Sequence, residues 1–454
     1  VRRVVIVLLV VAVVAAAAVV AVVVVARPGD DRAVVTQTAA SFLHAWEEQE
    51  WGAMAELVRR PSDDFVAVHT EMVERLAVSS ITTEPRPVVL RSDTATVPFT
   101  ISFTLAGLGP WRYDSELRLA QAEDEWRVQW DPTVMHPSAG AGVSFRRTRE
   151  RPDRALIVAH DGAQLMGPVE VVEVGVQPSR IVDRAALLAV LAEHLGVDPA
   201  SVEADLDRPG VQPDWFIPVA RLRQDQYQAV EAAIYPVPGT VFRRTTARRP
   251  PADGFASHVL GRTGEITAEL LDELGEPYIQ HDVVGVSGLE RAFEDQLGGT
   301  PSGEVQLVDG SGEVVEVLHR FDATTPQPLR ITLDVGAQLA AEAALEGVAG
   351  AAAIVAVAPD SGDIRAVVSR PAGEFNRALS GRYAPGSTFK VVTAAAALTT
   401  GGVTADHTFD CRAEVRVGGK VFRNAGGFER GEVSFRDAFA HSCNTVFGPL
   451  GAQL

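Results

Sequence analysis

Ser387 and Lys390 lie three residues apart in Tyr383-Ala384-Pro385-Gly386-Ser387-Thr388-Phe389-Lys390, followed by an apolar run over 391–398 that stops at Gly401-Gly402. Pro-Gly ahead of a serine is a helix start, and paired glycines are a stop. Helical residues three apart share a face, so the spacing predicts that the Lys390 amine can reach the Ser387 hydroxyl. A serine hydroxyl is a poor nucleophile at neutral pH, and a nearby amine can take its proton if the ammonium form is desolvated. The apolar run predicts a buried helix, and burial lowers a lysine pKa. The helix start also places backbone N–H groups and a positive dipole end beside Ser387. This is the chemistry of acyl transfer through a serine ester. By itself Ser-x-x-Lys is a common pattern, since a serine near a helix start and a surface lysine have a purely structural reading.

The pair needs elements to hold it. Fifty-five residues after Ser387, His441-Ser442-Cys443-Asn444-Thr445 closes a predicted helix over 434–441. Alone it is a polar helix end. Upstream, 331–334 is strand-like, 335–346 is an Ala-rich helix, and 353–358 and 364–369 form a hairpin across Pro359-Asp360-Ser361-Gly362-Asp363. Further forward, 34–135 reads as helices followed by strands. Val35, Ala39, Phe42, Leu43 and Trp46 recur at helical spacing, Trp51 opens a second short helix, and alternating Val97, Phe99, Ile101 and Phe103 mark one of four strands at 87–91, 94–105, 113–122 and 125–130. The stretches 137–142 and 324–328 are linker chemistry. Between them, hairpins around Asp161-Gly162 and Asp309-Gly310-Ser311-Gly312 are expected. The strings 258–269 and 285–290 read as Gly-rich turns feeding helices, a structural role.

Taken together, these motifs resemble class B penicillin-binding proteins over essentially the whole chain after Arg27. Tyr-x-Pro-Gly-Ser-Thr-Phe-Lys matches that family across eight positions, and Ser442-Cys443-Asn444 resembles its Ser-x-Asn motif. The strings 258–269 and 285–290 look like the signature of the family's dimerisation, or pedestal, domain. The front region resembles the nuclear-transport-factor-2-like domain of penicillin-binding proteins of the methicillin-resistance type, where a spacer role is the preferred reading. The resemblance implies peptidoglycan cross-linking by D,D-transpeptidation. Ser387 would attack the penultimate carbonyl of a stem peptide ending in D-Ala-D-Ala, and Lys390 would take its proton. Ser442 would pass a proton to the leaving amine, Asn444 would hold the acyl side chain, and the Ser387 N–H would supply half of an oxyanion hole. β-Lactams would acylate the same serine. The family also implies cell-division or elongation proteins as partners.

The N-terminus carries the other strong signal. Residues 4–26 are Val, Ala, Leu and Ile without one polar side chain, and they span roughly 35 Å as a helix, enough for a bilayer core of about 30 Å. Arg2 and Arg3 precede the run, which predicts an inside N-terminus and an extracytoplasmic bulk. A cleaved signal peptide is the rival reading, though its apolar region is shorter. A net charge of −18 excludes nucleic-acid binding through a basic surface. No cofactor is expected, and two cysteines do not fill a zinc site. The expected fold class is multidomain α+β: a stub, membrane helix and linker over 1–33, a small α+β domain over 34–140, a mixed pedestal over 145–325, and the N-terminal part of a β-lactamase-like transpeptidase domain over 330–454.

The family's third motif, Lys-Thr/Ser-Gly, has no counterpart after Asn444, and Gly310-Ser311-Gly312 and Gly418-Gly419-Lys420 are in the wrong order and place. The expectation is a fragment or truncated product with an incomplete active site. No glycosyltransferase domain fits ahead of the pedestal, which excludes the bifunctional class A. A non-catalytic envelope scaffold is the alternative function; a β-lactam sensor or lactamase relative fits less well. Cys411 and Cys443, extracytoplasmic by this topology, are either a disulfide or two separately buried thiols.

Overall fold

The computed structural model describes residues 31–122, 125–373, 375–400 and 402–454. The expected membrane helix at 4–26 lies outside them. Among the described residues no helix is long and apolar enough to cross a membrane. The chain divides into two compact units, one up to residue 374 and the other Phe375–Leu454.

The first unit opens with α1 (Asp31–Glu47), α2 (Trp51–Glu56) and α3 (Phe65–Leu76), packed on a sheet of β1 (Val78–Pro85), β2 (Val89–Arg91), β3 (Thr94–Leu105), β4 (Gly109–Ala122) and β5 (Glu125–Val128). The sheet is antiparallel in the order β1-β3-β4-β5, with β2 also paired to β3. The expected stripe of α1 is the buried one, with Val35, Ala39, Phe42, Leu43 and Trp46 at most 2% exposed. Along β3, Ala95, Val97, Phe99, Ile101, Phe103 and Leu105 point into the same core, as period-two alternation requires. Helix α3 and strand β1 were not anticipated. Ala77, in the left-handed region at φ 49°, joins them without a glycine to mark the turn.

This core does not stop at the Pro/Gly stretch 137–142. Ala139 is 3% exposed, and Phe145, Val305 and Leu307 from the following region belong to the same cluster. They come from β6 (Ser144–Glu150) and β13 (Ser302–Val308), which pair in a sheet completed by β14 (Val314–Phe321) in the order β14-β13-β6. Small and cyclic residues report backbone freedom rather than exposure, so linker composition is compatible with burial. The expected hairpin at Asp309–Gly312 closes with Val308 opposite Val314.

The intervening pedestal elements are β7 (Ile157–Val158), β8 (Gln164–Val176), α4 (Arg184–Leu195), α5 (Pro199–Leu206), β9 (Ile217–Arg223), α6 (Gln224–Ile234) and β10 (Thr240–Arg249). Val172, Val174 and Val176 of β8 pack against Leu187, Leu191, Val202 and Ile234 of the helices. Next come α7 (Ser257–Leu260), β11 (Arg262–Glu265), α8 (Ala268–Leu274), β12 (Val283–Ser287), α9 (Gly288–Ala292) and α10 (Glu294–Gly298). Strands β11 and β12 pair antiparallel, so the two Gly-rich strings lie side by side. A Cβ on Gly261 would stand 1.9 Å from the Ser287 carbonyl oxygen, and one on Gly285 would stand 2.0 Å from that of Glu290. Close backbone approach is why these positions are glycine. Beside them Glu290, fully buried, accepts from Arg154 at 2.6 Å and Arg248 at 2.7 Å, and Glu294 pairs with Arg154 at 2.8 Å.

After β14, the stretch 324–328 is tied by Thr300 N–H to the Thr324 carbonyl and by Gln327 N–H to that of Gln296. It leads to β15 (Leu329–Arg330), α11 (Val335–Leu345) and the antiparallel pair β16 (Ala352–Val357) and β17 (Ile364–Arg370). The second unit comprises α12 (Arg377–Ser380), a 3-10 turn (Gly386–Phe389), α13 (Lys390–Thr399), β18 (Thr408–Cys411), β19 (Glu414–Val417), β20 (Lys420–Arg423), β21 (Gly431–Ser434), α14 (Phe435–Ala440) and α15 (Asn444–Gly451). Its core joins Ala394 and Ala397 of α13 to Phe435, Ala438, Val446, Phe447 and Leu450. The expected burial of α13 holds along one side of the helix. Lys390, Thr393, Ala394 and Ala397 form a buried stripe, while Val391 and Val392 stay more than half exposed. A helix touching its core along one side buries only the i, i+3, i+4, i+7 positions, whatever residues occupy the rest.

Candidate active site

Ser387 and Lys390 are positioned by a change of helix type. Gly386 takes φ 55°, a conformation open to glycine, and turns the chain into the 3-10 segment. Lys390 then opens α13. This places Lys390 Nζ 3.1 Å from Ser387 Oγ, as the three-residue spacing predicts. Ser387 is exposed at the surface, whereas Lys390 is 9% exposed.

The second motif comes to the same amine. Lys390 Nζ lies 2.8 Å from Ser442 Oγ, 2.8 Å from the Ser442 carbonyl oxygen and 2.5 Å from Asn444 Oδ1. The expected helix before the motif is α14, with the Ser434 hydroxyl capping Asp437 N–H at 3.1 Å. Ser442 then adopts φ 55°, a left-handed conformation uncommon for a residue with a side chain. A new helix, α15, starts at Asn444 and was not foreseen. The Asn444 amide is oriented by its other end, where Nδ2 donates to the Arg423 carbonyl at 2.8 Å. That bond turns Oδ1 toward the amine.

Four oxygens surround Nζ. Two of them, the Ser442 carbonyl and Asn444 Oδ1, can only accept. A neutral amine has two N–H groups for these and a lone pair for a hydroxyl proton. Burial pushes the Lys390 pKa down from its ordinary value, and none of these neighbours carries a charge that would raise it. The Phe447 ring, 5.9 Å from Nζ, closes another side. The arrangement can draw a proton from Ser387 Oγ and hand it on through Ser442 Oγ.

Cys411 and Cys443 form a disulfide with Cα atoms 6.2 Å apart. Both cysteines are fully buried. The bond ties β18 to the middle residue of the second motif. Among the described residues no group of His, Cys, Asp and Glu could hold a metal ion. Asn424 and Thr445, which bond around this turn, were passed over as site residues. Asn424-Ala425-Gly426-Gly427 reads as an ordinary turn, so no local signal singles it out.

Three family models match successive stretches of the chain. Residues 35–142 match the NTF2-like N-terminal transpeptidase domain, 149–330 the Penicillin-binding Protein dimerisation domain, and 352–454 the Penicillin binding protein transpeptidase domain. The chain belongs to the class B penicillin-binding proteins. Curated relatives of this class B chain include Penicillin-binding protein 3 of Bacillus subtilis, 26% identical over 81% of this chain and 59% of the relative. Peptidoglycan D,D-transpeptidase MrdA of Acinetobacter baumannii is 30% identical over 48% of this chain and 36% of the relative. This penicillin-binding protein chain therefore spans between about a third and three fifths of the length of these relatives. The solved complex between Penicillin-Binding Protein (PBP2) and MreC from Helicobacter pylori aligns at TM-score 0.46 and 19% identity, over 68% of this chain and 63% of that one, a likeness too loose to bear on function.

Proposed function

We propose that the protein cross-links peptidoglycan as a serine D,D-transpeptidase and binds penicillin covalently at Ser387. The observation that carries this reading is the approach of Lys390 Nζ to Ser387 Oγ at 3.1 Å within a shell completed by Ser442 and Asn444. Ser387 Oγ attacks the carbonyl of the penultimate D-Ala while its proton passes to Lys390. The C–N bond to the last D-Ala breaks, and Ser442 relays the proton to the departing amine. The resulting ester is attacked by an amine of a neighbouring stem peptide, whose proton returns through the same relay as Ser387 is released. Asn444 Nδ2 has a second N–H beyond the one given to Arg423, and this N–H holds the acyl side chain. The Ser387 N–H is one donor to the oxyanion.

The domain limits 34–140, 145–325 and 330–454, and an anchor over 4–26 that leaves the bulk of the chain extracytoplasmic, belong to the same proposal. Cell-division or elongation proteins are the partners assigned to the front domains. A fluorescent penicillin should label the full-length protein, and Ser387→Ala in it should abolish labelling without loss of fold. Labelling that persists, mapped by mass spectrometry to another residue, overturns the assignment. A reporter fused after Pro28 should be active only outside the cytoplasm.

A further inference from the structure

Asn424 follows the last residue of β20 and is 3% exposed. Every polar atom of its side chain is used inside the second unit. Nδ2 donates to the carbonyls of Arg412 at 2.8 Å and Phe428 at 2.9 Å. Oδ1 accepts from the Thr445 backbone N–H at 3.2 Å. The Thr445 hydroxyl in turn donates to the same Arg412 carbonyl at 2.7 Å and lies 3.2 Å from Cys443 Sγ. Next to it, the Arg423 carbonyl takes the Asn444 amide. Residues 423 and 424 thus grip residues 444 and 445 in register, through one backbone and one side chain. Buried polar nodes of this kind are stiff because each lost bond leaves a desolvated group behind.

We propose that Asn424 is a positioning residue for the acyl-transfer site: its buried side chain locks the 442–445 turn to β20 and so holds the Ser442 carbonyl and the Asn444 amide against Lys390. The proposal rests on the serine acyl-transferase reading above. Asn424 touches neither Ser387 nor Lys390, so it acts through the turn. The disulfide holds the turn at Cys443, and the Arg423 and Arg412 carbonyls hold the Asn444 and Thr445 side chains. Asn424 adds a grip on the Thr445 backbone itself, from a side chain that is anchored in turn to the Arg412 and Phe428 carbonyls. With the turn loosened, water reaches Nζ and solvates the ammonium form.

Lys390 and Lys420 are the lysines of this 454-residue chain; in the full-length protein, lysine labelled at Cε gives a Lys390 resonance that is assigned by its loss in Lys390→Arg. In the wild type the Lys390 signal should titrate below the ordinary lysine value. In Asn424→Ala its midpoint should rise by about one pH unit, and penicillin acylation at neutral pH should slow about tenfold in step with the smaller neutral fraction. If Asn424→Ala does not fold, Asn424→Ser is measured in its place. A folded variant with the disulfide intact and the Lys390 midpoint unmoved overturns the proposal, even if its melting temperature has dropped. The titration needs no turnover. An unlabelled Ser387 in the wild type would count against the acyl-transfer reading alone.

Discussion

Ser442 offers Lys390 its backbone carbonyl as well as its hydroxyl, both at 2.8 Å from Nζ. The double contact exists because Ser442 sits at φ 55° between α14 and α15, where the carbonyl and side chain converge on one point. A left-handed non-glycine residue costs on the order of 1–3 kcal/mol and persists only where its surroundings over-determine it. Here Asn424, Thr445 and the Cys411–Cys443 bond do so.

Because burial lowers the Lys390 pKa, the neutral amine becomes available at lower pH than for an exposed lysine. Acylation of Ser387 should rise with pH through that depressed value and fall away below it. Lys390→Met should slow acylation by about 10²–10⁴-fold, the range for a positioned general base. Lys420→Met should leave it unchanged. Rates of fluorescent-penicillin labelling across pH check both.

The disulfide closes a separation of 32 residues. By loop-closure reasoning it contributes roughly 3–4 kcal/mol. Thiol counting under denaturing conditions should find no free thiol before reduction and two after it. Replacing both cysteines by alanine should lower the denaturant midpoint and slow acylation, since Cys443 lies between Ser442 and Asn444.

His69 is fully buried among Trp46, Trp51, Phe65 and Trp130. Its Nδ1 meets the Phe65 carbonyl at 2.7 Å, but burial dominates and pushes its pKa down to about 4. The folded value lies below the unfolded one, so this contribution to stability is complete above pH ~6.5 and is lost as pH falls toward 4. The loss amounts to about 3 kcal/mol at the acid end. His136, also pushed down to about 4 by burial, titrates in the same window. His69→Phe should flatten the acid limb of the stability profile by roughly half, measured by urea unfolding between pH 4 and 7.

Glu290 is fully buried and bonded to two guanidiniums. Glu290→Ala leaves Arg154 and Arg248 facing a buried gap and should destabilise the pedestal by about 3–5 kcal/mol. Replacing an exposed partner such as Glu84, paired with Arg112 at 2.7 Å, should cost at most about 1 kcal/mol. Thermal unfolding of the two variants separates the cases.

What could be read along the chain was local. Strand β3 lies at 94–105 as alternation indicates, the stripe of α1 is buried where its period places it, and Ser387 meets Lys390 because one helical turn brings them together. Such features depend on spacings of two to four residues, which the backbone converts directly into direction. Helix α3 was missed because its buried face includes a histidine, and α15 because a Ser-Cys-Asn string reads as an end rather than a beginning.

The eight residues around Ser387 and the Ser-x-Asn string thus determined by themselves which chemistry the second unit could support. Only the tertiary structure decided that Lys390 is shared between both motifs, that Cys411 is bonded to Cys443, that Asn424 clamps the turn, and that the front core runs on through Ala139 and Phe145 into the pedestal sheet. Each of these joins residues about twenty or more positions apart, except within 139–145, where burial depends on strands 160 residues downstream. Contacts over such separations are set by how whole elements pack, and no local pattern of residue types encodes which surfaces will meet.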